Sequence, residues 1–144
     1  MAQQWRPTAW IHFATGTEIE SRLSFTPRRR RLLAGFREAC RLLQKAGCRL
    51  GCLDGSFVTT KEHPDDFDAC WDIQSVDEDA LDPVFWDFSQ GRAAQKKRFG
   101  GEFFPAQFPE GASGRAFVGS FQINKLTGDP KGIVAIRMGR SRKR

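Results

Sequence analysis

The sequence lacks several features that would place it in a defined class of protein. Its 144 residues include no tyrosine, so no tyrosine of this chain can accept a group in self-modification. No apolar run approaches the ~20 residues that span a bilayer. The first seven residues have no apolar core of a signal peptide, so we expect a cytoplasmic protein. There are two histidines, neither in metal-ligand spacing with the four cysteines, and we expect the cysteines to be reduced, mostly buried thiols.

Acidic residues are concentrated in the middle of a basic chain. Residues 51–90 contain eleven acids and one base, a net charge of −10, so the remainder carries +16 to reach the formal total of +6. A local excess of negative charge suits a metal site, and a basic remainder suits polyanionic partners such as nucleic acid. The length allows one core and is too short for two ordinary domains.

Local patterns predict a single α/β domain with a mixed sheet flanked by helices. Thr26 and Pro27 suit the start of a helix, whose apolar residues recur at helical spacing until Gly47. Other predicted elements are strands over residues 48–53, 66–73, 102–104 and 132–138, and a helical region over residues 76–99. We expect an N-terminal arm (residues 1–25) that packs on the core, a domain (residues 26–138) and a basic tail (residues 139–144).

The most informative segment is residues 54–68. Gly55 and Ser56 follow a predicted strand and open a short helical stretch, where backbone N–H groups and the Ser56 hydroxyl can hold a phosphate. Asp66 and Asp68 share one face of the next strand, with Cα atoms roughly 7 Å apart. Two such carboxylates repel unless a cation lies between them, and their oxygens suit Mg²⁺ or Mn²⁺. The combination predicts metal-assisted nucleotidyl transfer.

These residues resemble the motif of the DNA polymerase β-type nucleotidyltransferase superfamily: Gly-Ser after a strand, Asp-x-Asp on the next strand, and a third carboxylate on a later one. The resemblance implies the nucleotidyltransferase fold, with Mg²⁺ or Mn²⁺ held by Asp66 and Asp68. Glu102 fits the third position, as a metal ligand or as the base for the attacking hydroxyl. Residues 54–59, 99–106 and 131–134 are also similar to a small bacterial nucleotidyltransferase-like family, a resemblance that extends over residues 16–138.

The resemblance also implies substrates and partners. Relatives in toxin–antitoxin and phage-defence pairs move a nucleotide from an NTP to tRNA or to a partner protein, so we expect an NTP, one of these acceptors and a cognate antitoxin or toxin chain. Two departures are visible: Thr59-Thr60-Lys61 replaces the usual Arg-Gly, and Glu102 replaces Asp. The alternatives are a degenerate binding module (an antitoxin or nucleotide sensor) of the same fold and a basic RNA-binding protein.

Several cations are candidates for binding the triphosphate. Lys61 lies in the motif. Lys97 forms a basic group with Lys96 and Arg98 at a predicted helix end, with solvated surface charge as the alternative. Residues 28–31, four consecutive arginines, favour either an anion or RNA contact or a solvated helix face. Asp72 shares the strand face of Asp68 but lies too far along to be an expected ligand.

Overall fold

In the residues that the structure describes, five short strands form one mixed β-sheet with helices on both faces. The computed structural model describes residues 11–54, 66–111, 114–123, 127–128 and 132–138. The elements are β1 (Ile11–Ala14), α1 (Gly16–Leu23), α2 (Pro27–Lys45), β2 (Leu50–Leu53), β3 (Phe67–Trp71), α3 (Ser89–Phe99), β4 (Gly101–Pro105), α4 (Phe117–Ser120) and β5 (Ile133–Arg137). The prediction of an α/β fold with a mixed sheet is confirmed.

The strand order across the sheet is β1-β5-β2-β3-β4. β1 is parallel to β5 and β3 is parallel to β4, whereas β2 runs antiparallel to both of its neighbours. No helix in the described part of the chain has the length and apolar character needed to cross a membrane.

Helix α2 forms where the sequence predicts the main helix. The Thr26 hydroxyl caps it by accepting a hydrogen bond from the Arg29 backbone N–H at 3.1 Å, and Pro27 occupies the first turn. The chain turns after α2 at Gly47, whose φ of 102° lies in the left-handed region. The residues that α2 buries lie at helical spacing: Leu32, Leu33, Phe36, Ala39 and Leu43.

Strand β3 shows the alternation that the sequence predicts. Phe67, Ala69 and Trp71 are buried in the larger apolar core, which α2 and α3 cover. Cys70 is buried in a smaller core on the opposite face, next to α4. Because side chains alternate along a strand, Asp68 lies on the same face of the sheet as Cys70.

Residues 76–88 are not an α-helix, contrary to the prediction. They form irregular backbone and one 3₁₀ turn (Pro83–Trp86) before α3 begins. Three aspartates accept hydrogen bonds from the backbone N–H two residues further on, at 3.0–3.1 Å: Asp77, Asp82 and Asp87. Such local bonds compete with those of a helix, and a proline inside a helix removes a backbone donor. Leu81 and Phe85 are still buried, so apolar spacing alone did not distinguish the two structures.

The predicted N-terminal arm supplies two elements of the domain. β1 pairs with β5 at the edge of the sheet, and α1 begins with reciprocal hydrogen bonds between Thr15 and Glu18. A four-residue strand is too short to show a period, which explains why no sequence pattern marks it. The final strand, predicted over residues 132–138, is confirmed as β5. Residues 1–10 and the tail lie outside the described residues.

The expectation of four reduced thiols is wrong for Cys52 and Cys70. The register of β2 and β3 places these two residues directly opposite each other with their Cα atoms 5.2 Å apart, and a disulfide joins them. Sequence spacing does not reveal strand register, so this pair was not predictable. Cys40 and Cys48 are free.

Candidate active site

Asp68 and Glu102 lie side by side on adjacent strands. The parallel register of β3 and β4 aligns them as direct partners, and both are half-buried. Their strand neighbours Phe67 and Phe103 are buried in the larger core, so both carboxylates lie on the opposite face. Asp66, also half-buried, immediately precedes β3. The sheet therefore brings the predicted Asp-x-Asp pair next to the predicted third carboxylate.

Asp54 is a further carboxylate that the sequence reasoning missed. It directly follows β2, its side chain is buried, and its backbone N–H donates to the Asp68 carbonyl at 2.8 Å. The register pairs Cys52 with Cys70, so two residues further along Asp54 lies opposite Asp68 on the same face. We call Asp54, Asp68 and Glu102 the acidic row. The position of Asp54 between a buried strand and Gly55 was the available signal.

Two cations on α3 face the outer end of the acidic row. Arg92 Nη1 lies 3.7 Å from Glu102 Oε1, and Lys96 Nζ lies 3.8 Å from Glu102 Oε2. The side chains of Arg92 and Glu102 are 22% and 19% exposed, so this pair is screened less than a surface pair, whereas the Lys96 side chain is exposed. Both distances exceed hydrogen-bond range, so the two cations compensate the charge of Glu102 through space and do not donate hydrogen bonds to it.

The acidic row supplies the oxygen ligands that Mg²⁺ or Mn²⁺ prefers. Within the described ranges, no group of three or more His, Cys, Asp or Glu side chains is arranged to hold a metal ion. A metal ion bound by Asp66, Asp68 and Glu102 stays a prediction.

Of the predicted phosphate-binding residues, Lys97 and the rest of its basic group lie in the described part of the chain and the others do not. Gly55, Ser56 and Lys61 lie outside the described residues, as does the short helix expected there. Lys97 is exposed on α3. Arg98, from the same basic group, makes an ion pair with Asp82 at 2.8 Å and is therefore directed away from the row. Lys96 is the member of this group that contacts the candidate site.

The arginine-rich turn at residues 28–31 has a structural role through Arg29. This residue is fully buried, its Nη1 donates to the Leu23 carbonyl at 3.3 Å, and its guanidinium lies 4.4 Å from the centre of the Phe25 ring. Removal from water lowers the pKa of Arg29. Arg29 thus serves the packing of α1 against α2. Because it is buried, it is not positioned for the predicted anion or RNA contact.

The Asp72 side chain, which we did not expect to be a ligand, accepts two hydrogen bonds within the fold. Its Oδ1 accepts from the Gln74 backbone N–H at 3.0 Å and from Gln107 Nε2 at 2.6 Å. These bonds tie the end of β3 to the loop after β4.

Arg92 is a second site residue that the sequence reasoning missed. Its guanidinium lies 4.1 Å from the centre of the Phe104 ring and 5.1 Å from that of Phe88. Phe104 follows Glu102 by two positions on the same face of β4. The aromatic contacts hold the charged group beside the acidic row, and only this non-local packing distinguishes Arg92 from the other basic residues of α3.

A family model matches residues 6–137 of the chain, and it is described as a family of unknown function, DUF6932. The chain belongs to this family. No curated protein and no solved structure matches it. The DUF6932 match covers nearly the whole domain and assigns no activity.

The arrangement in this DUF6932 member combines opposite charges in one place. Carboxylates from three adjacent strands form the row, and Arg92 and Lys96 border its outer end. The signs of these charges are complementary to those of a ligand that carries both a cation and an oxyanion.

Proposed function

We propose that this chain is a metal-dependent nucleotidyltransferase with a polymerase β-type fold. The observation that carries the proposal is the acidic row, which places Asp54, Asp68 and Glu102 on one sheet face from three neighbouring strands. Gly55 and Ser56 directly follow the first of these carboxylates in the sequence. A phosphate-binding turn attached there would begin beside the row.

Each proposed role follows from the chemistry of the group. Asp66 and Asp68 would hold Mg²⁺ or Mn²⁺, with phosphate oxygens of the NTP and water as further ligands and Asp54 beside them. When bound, the ion would neutralise charge on the attacking and leaving oxygens. Ser56 and the neighbouring backbone would hold phosphate oxygens of the NTP. Glu102 would accept the proton of the acceptor hydroxyl, whose oxygen bonds to the α-phosphorus while the bond to pyrophosphate breaks.

The acceptor would be tRNA, another RNA or a partner protein. The +16 charge outside the acidic window favours a polyanionic substrate, and a chain of this length leaves little room for separate recognition elements. We propose that it acts in the cytoplasm, with a cognate toxin or antitoxin chain in a phage-defence or toxin–antitoxin pair.

The test is transfer of label from each α-labelled NTP to total tRNA or lysate protein with Mg²⁺ or Mn²⁺. We expect Asp68→Asn to abolish transfer, because it removes a charge from the row. Asp79→Asn is the matched control: it makes the same change at an exposed position of the acidic window and should leave transfer unchanged. Equal loss in both variants, or transfer without metal, would refute the assignment.

The ion pairs of Glu102 favour a second candidate, a nucleotide-binding module without catalysis. If Arg92 and Lys96 hold Glu102 permanently, the chain would bind an NTP and transfer nothing. NTP binding without label transfer to any acceptor supports this candidate. Metal-independent RNA binding that is unchanged in Asp68→Asn would instead support a basic RNA-binding protein.

A further inference from the structure

We propose that Arg92 is a phosphate-binding residue of this site, and that its guanidinium is paired with the Glu102 carboxylate while no nucleotide is bound. The proposal rests on the proposed function, because its ligand is a phosphate group of the NTP. It adds Arg92 to the basic group for which the sequence suggested this role, and it retains Lys96 from that group.

The Arg92 side chain is held in place by packing. Phe104 lies at 4.1 Å and Phe88 at 5.1 Å from the guanidinium carbon, and the side chain is 22% exposed. Stacking on aromatic rings uses the faces of a guanidinium and leaves the N–H groups at its edge for an acceptor. The charged group is therefore fixed before a ligand arrives.

One hydrogen-bond donor of Arg92 has no acceptor in the described part of the chain. Its Nε is buried without a hydrogen-bond partner, and its contact with Glu102 at 3.7 Å is an ion pair outside hydrogen-bond range. A buried donor without an acceptor is costly, so such a group points to a missing acceptor. A phosphate oxygen fits both the charge and the donor geometry of arginine.

The backbone that presents Arg92 is unusual. Gln90, Gly91 and Arg92 have φ values of 51°, 64° and 61°, which form a left-handed turn at the start of α3. Left-handed backbone is unfavourable for residues with a Cβ, and such strain is concentrated at functional sites. The turn agrees with a binding role, but that role is argued from the packing of the side chain and from the unpaired Nε donor.

The other cations of α3 differ in the carboxylates that they contact. Lys96 lies 3.8 Å from Glu102 and adds a second positive charge to the same spot, whereas Arg98 is paired with Asp82 at 2.8 Å. A phosphate placed between Arg92 and Lys96 would replace Glu102 as their common partner. Glu102 would then be released to act as the base at the reaction centre.

The test measures the Kd of an NTP in the presence of Mg²⁺ by isothermal titration calorimetry. We expect Arg92→Gln to raise the Kd roughly 10- to 100-fold, the effect of losing a charged hydrogen-bonding partner. Arg92→Lys keeps the charge without the planar fork, and should raise the Kd about 3- to 10-fold. Arg98→Gln removes the same charge from the other end of α3, and should leave the Kd within about twofold.

The outcomes distinguish this proposal from the proposed function. If the wild-type protein binds NTP and Arg92→Gln binds it equally well, Arg92 is a structural partner of Glu102 and only the proposal about Arg92 is overturned. If the wild-type protein binds no NTP, both fall. If Arg92→Gln does not fold, as judged by circular dichroism, Arg92→Lys decides: an unchanged Kd in that variant overturns the proposal.

Discussion

Gly35, in the middle of α2, packs against the backbone carbonyl at the end of α3. A methyl group at this position would come well inside 3.0 Å of the Phe99 carbonyl oxygen, a separation that real Cβ atoms essentially never show. A backbone carbonyl cannot rotate away as a side chain can, so α3 would have to move away from α2. We predict that Gly35→Ala destabilises the protein even though alanine is the better helix former.

The two opposing effects have different sizes. Exchanging Gly for Ala inside a helix stabilises it by roughly 1 kcal/mol. Forcing an extra carbon into a closely packed contact costs about 1–3 kcal/mol, and the rigid obstacle at Phe99 places Gly35→Ala at the upper end. The expected net change is a loss of about 2 kcal/mol, which lowers the urea midpoint by about 1 M for a slope of about 2 kcal/mol/M.

Urea unfolding monitored by circular dichroism measures this change. The control is Ala34→Gly at the neighbouring exposed position of α2, where propensity alone should cost about 1 kcal/mol. Position 34 should therefore prefer alanine and position 35 glycine. A Gly35→Ala protein that is as stable as wild type, or more stable, would refute the contact between the two helices.

Three further perturbations test local features of the structure. Hydrogen bonds from Val84 and Arg98 hold the pKa of Asp82 below its ordinary value, so Asp82→Ala should lower the free energy of unfolding in urea by about 1 kcal/mol at pH 7. This difference should disappear as the pH falls from about 4 through the lowered pKa, and a difference that does not depend on pH would contradict the assignment. Burial raises the pKa of Cys48 to about 12, so its thiol should react with a maleimide at pH 8 only after the protein is unfolded in urea. Rapid labelling of Cys48 in the folded protein would be inconsistent with its burial. Gln90→Gly removes left-handed strain at an exposed residue and should raise the free energy of unfolding by about 0.5–1 kcal/mol; destabilisation would show that the turn is not strained.

Elements with strong local signals were predictable from the sequence. Thr26, Pro27 and Gly47 mark the ends of α2 through capping and left-handed backbone, and these effects involve only neighbouring residues. The alternation of β3 is equally local. The helical prediction over residues 76–88 failed because aspartate side chains there bond to nearby N–H groups, a competition that apolar periodicity does not register.

Strand geometry predicted the site residues that lie close together along the chain, and the resemblance supplied Glu102 on a later strand. Asp66 and Asp68 are neighbours along the chain, so strand geometry alone places them together. Asp54 joins them through the antiparallel register of β2 and β3, and Arg92 through its packing on Phe104. Register and side-chain packing depend on residues far apart in sequence, which is why these two members were missed.

The acidic window serves two different physical purposes. One set of acids, Asp77, Asp82 and Asp87, accepts hydrogen bonds from local backbone donors and shapes the irregular segment before α3. Asp54 and Asp68 instead lie on the same sheet face as Glu102. The charge of −10 is therefore a sum over structural and candidate functional groups, and its size does not measure the capacity for metal. What favours a nucleotide site is the local alternation of sign, with carboxylates on three strands and two cations at their edge, because a metal-bound phosphate has the complementary arrangement.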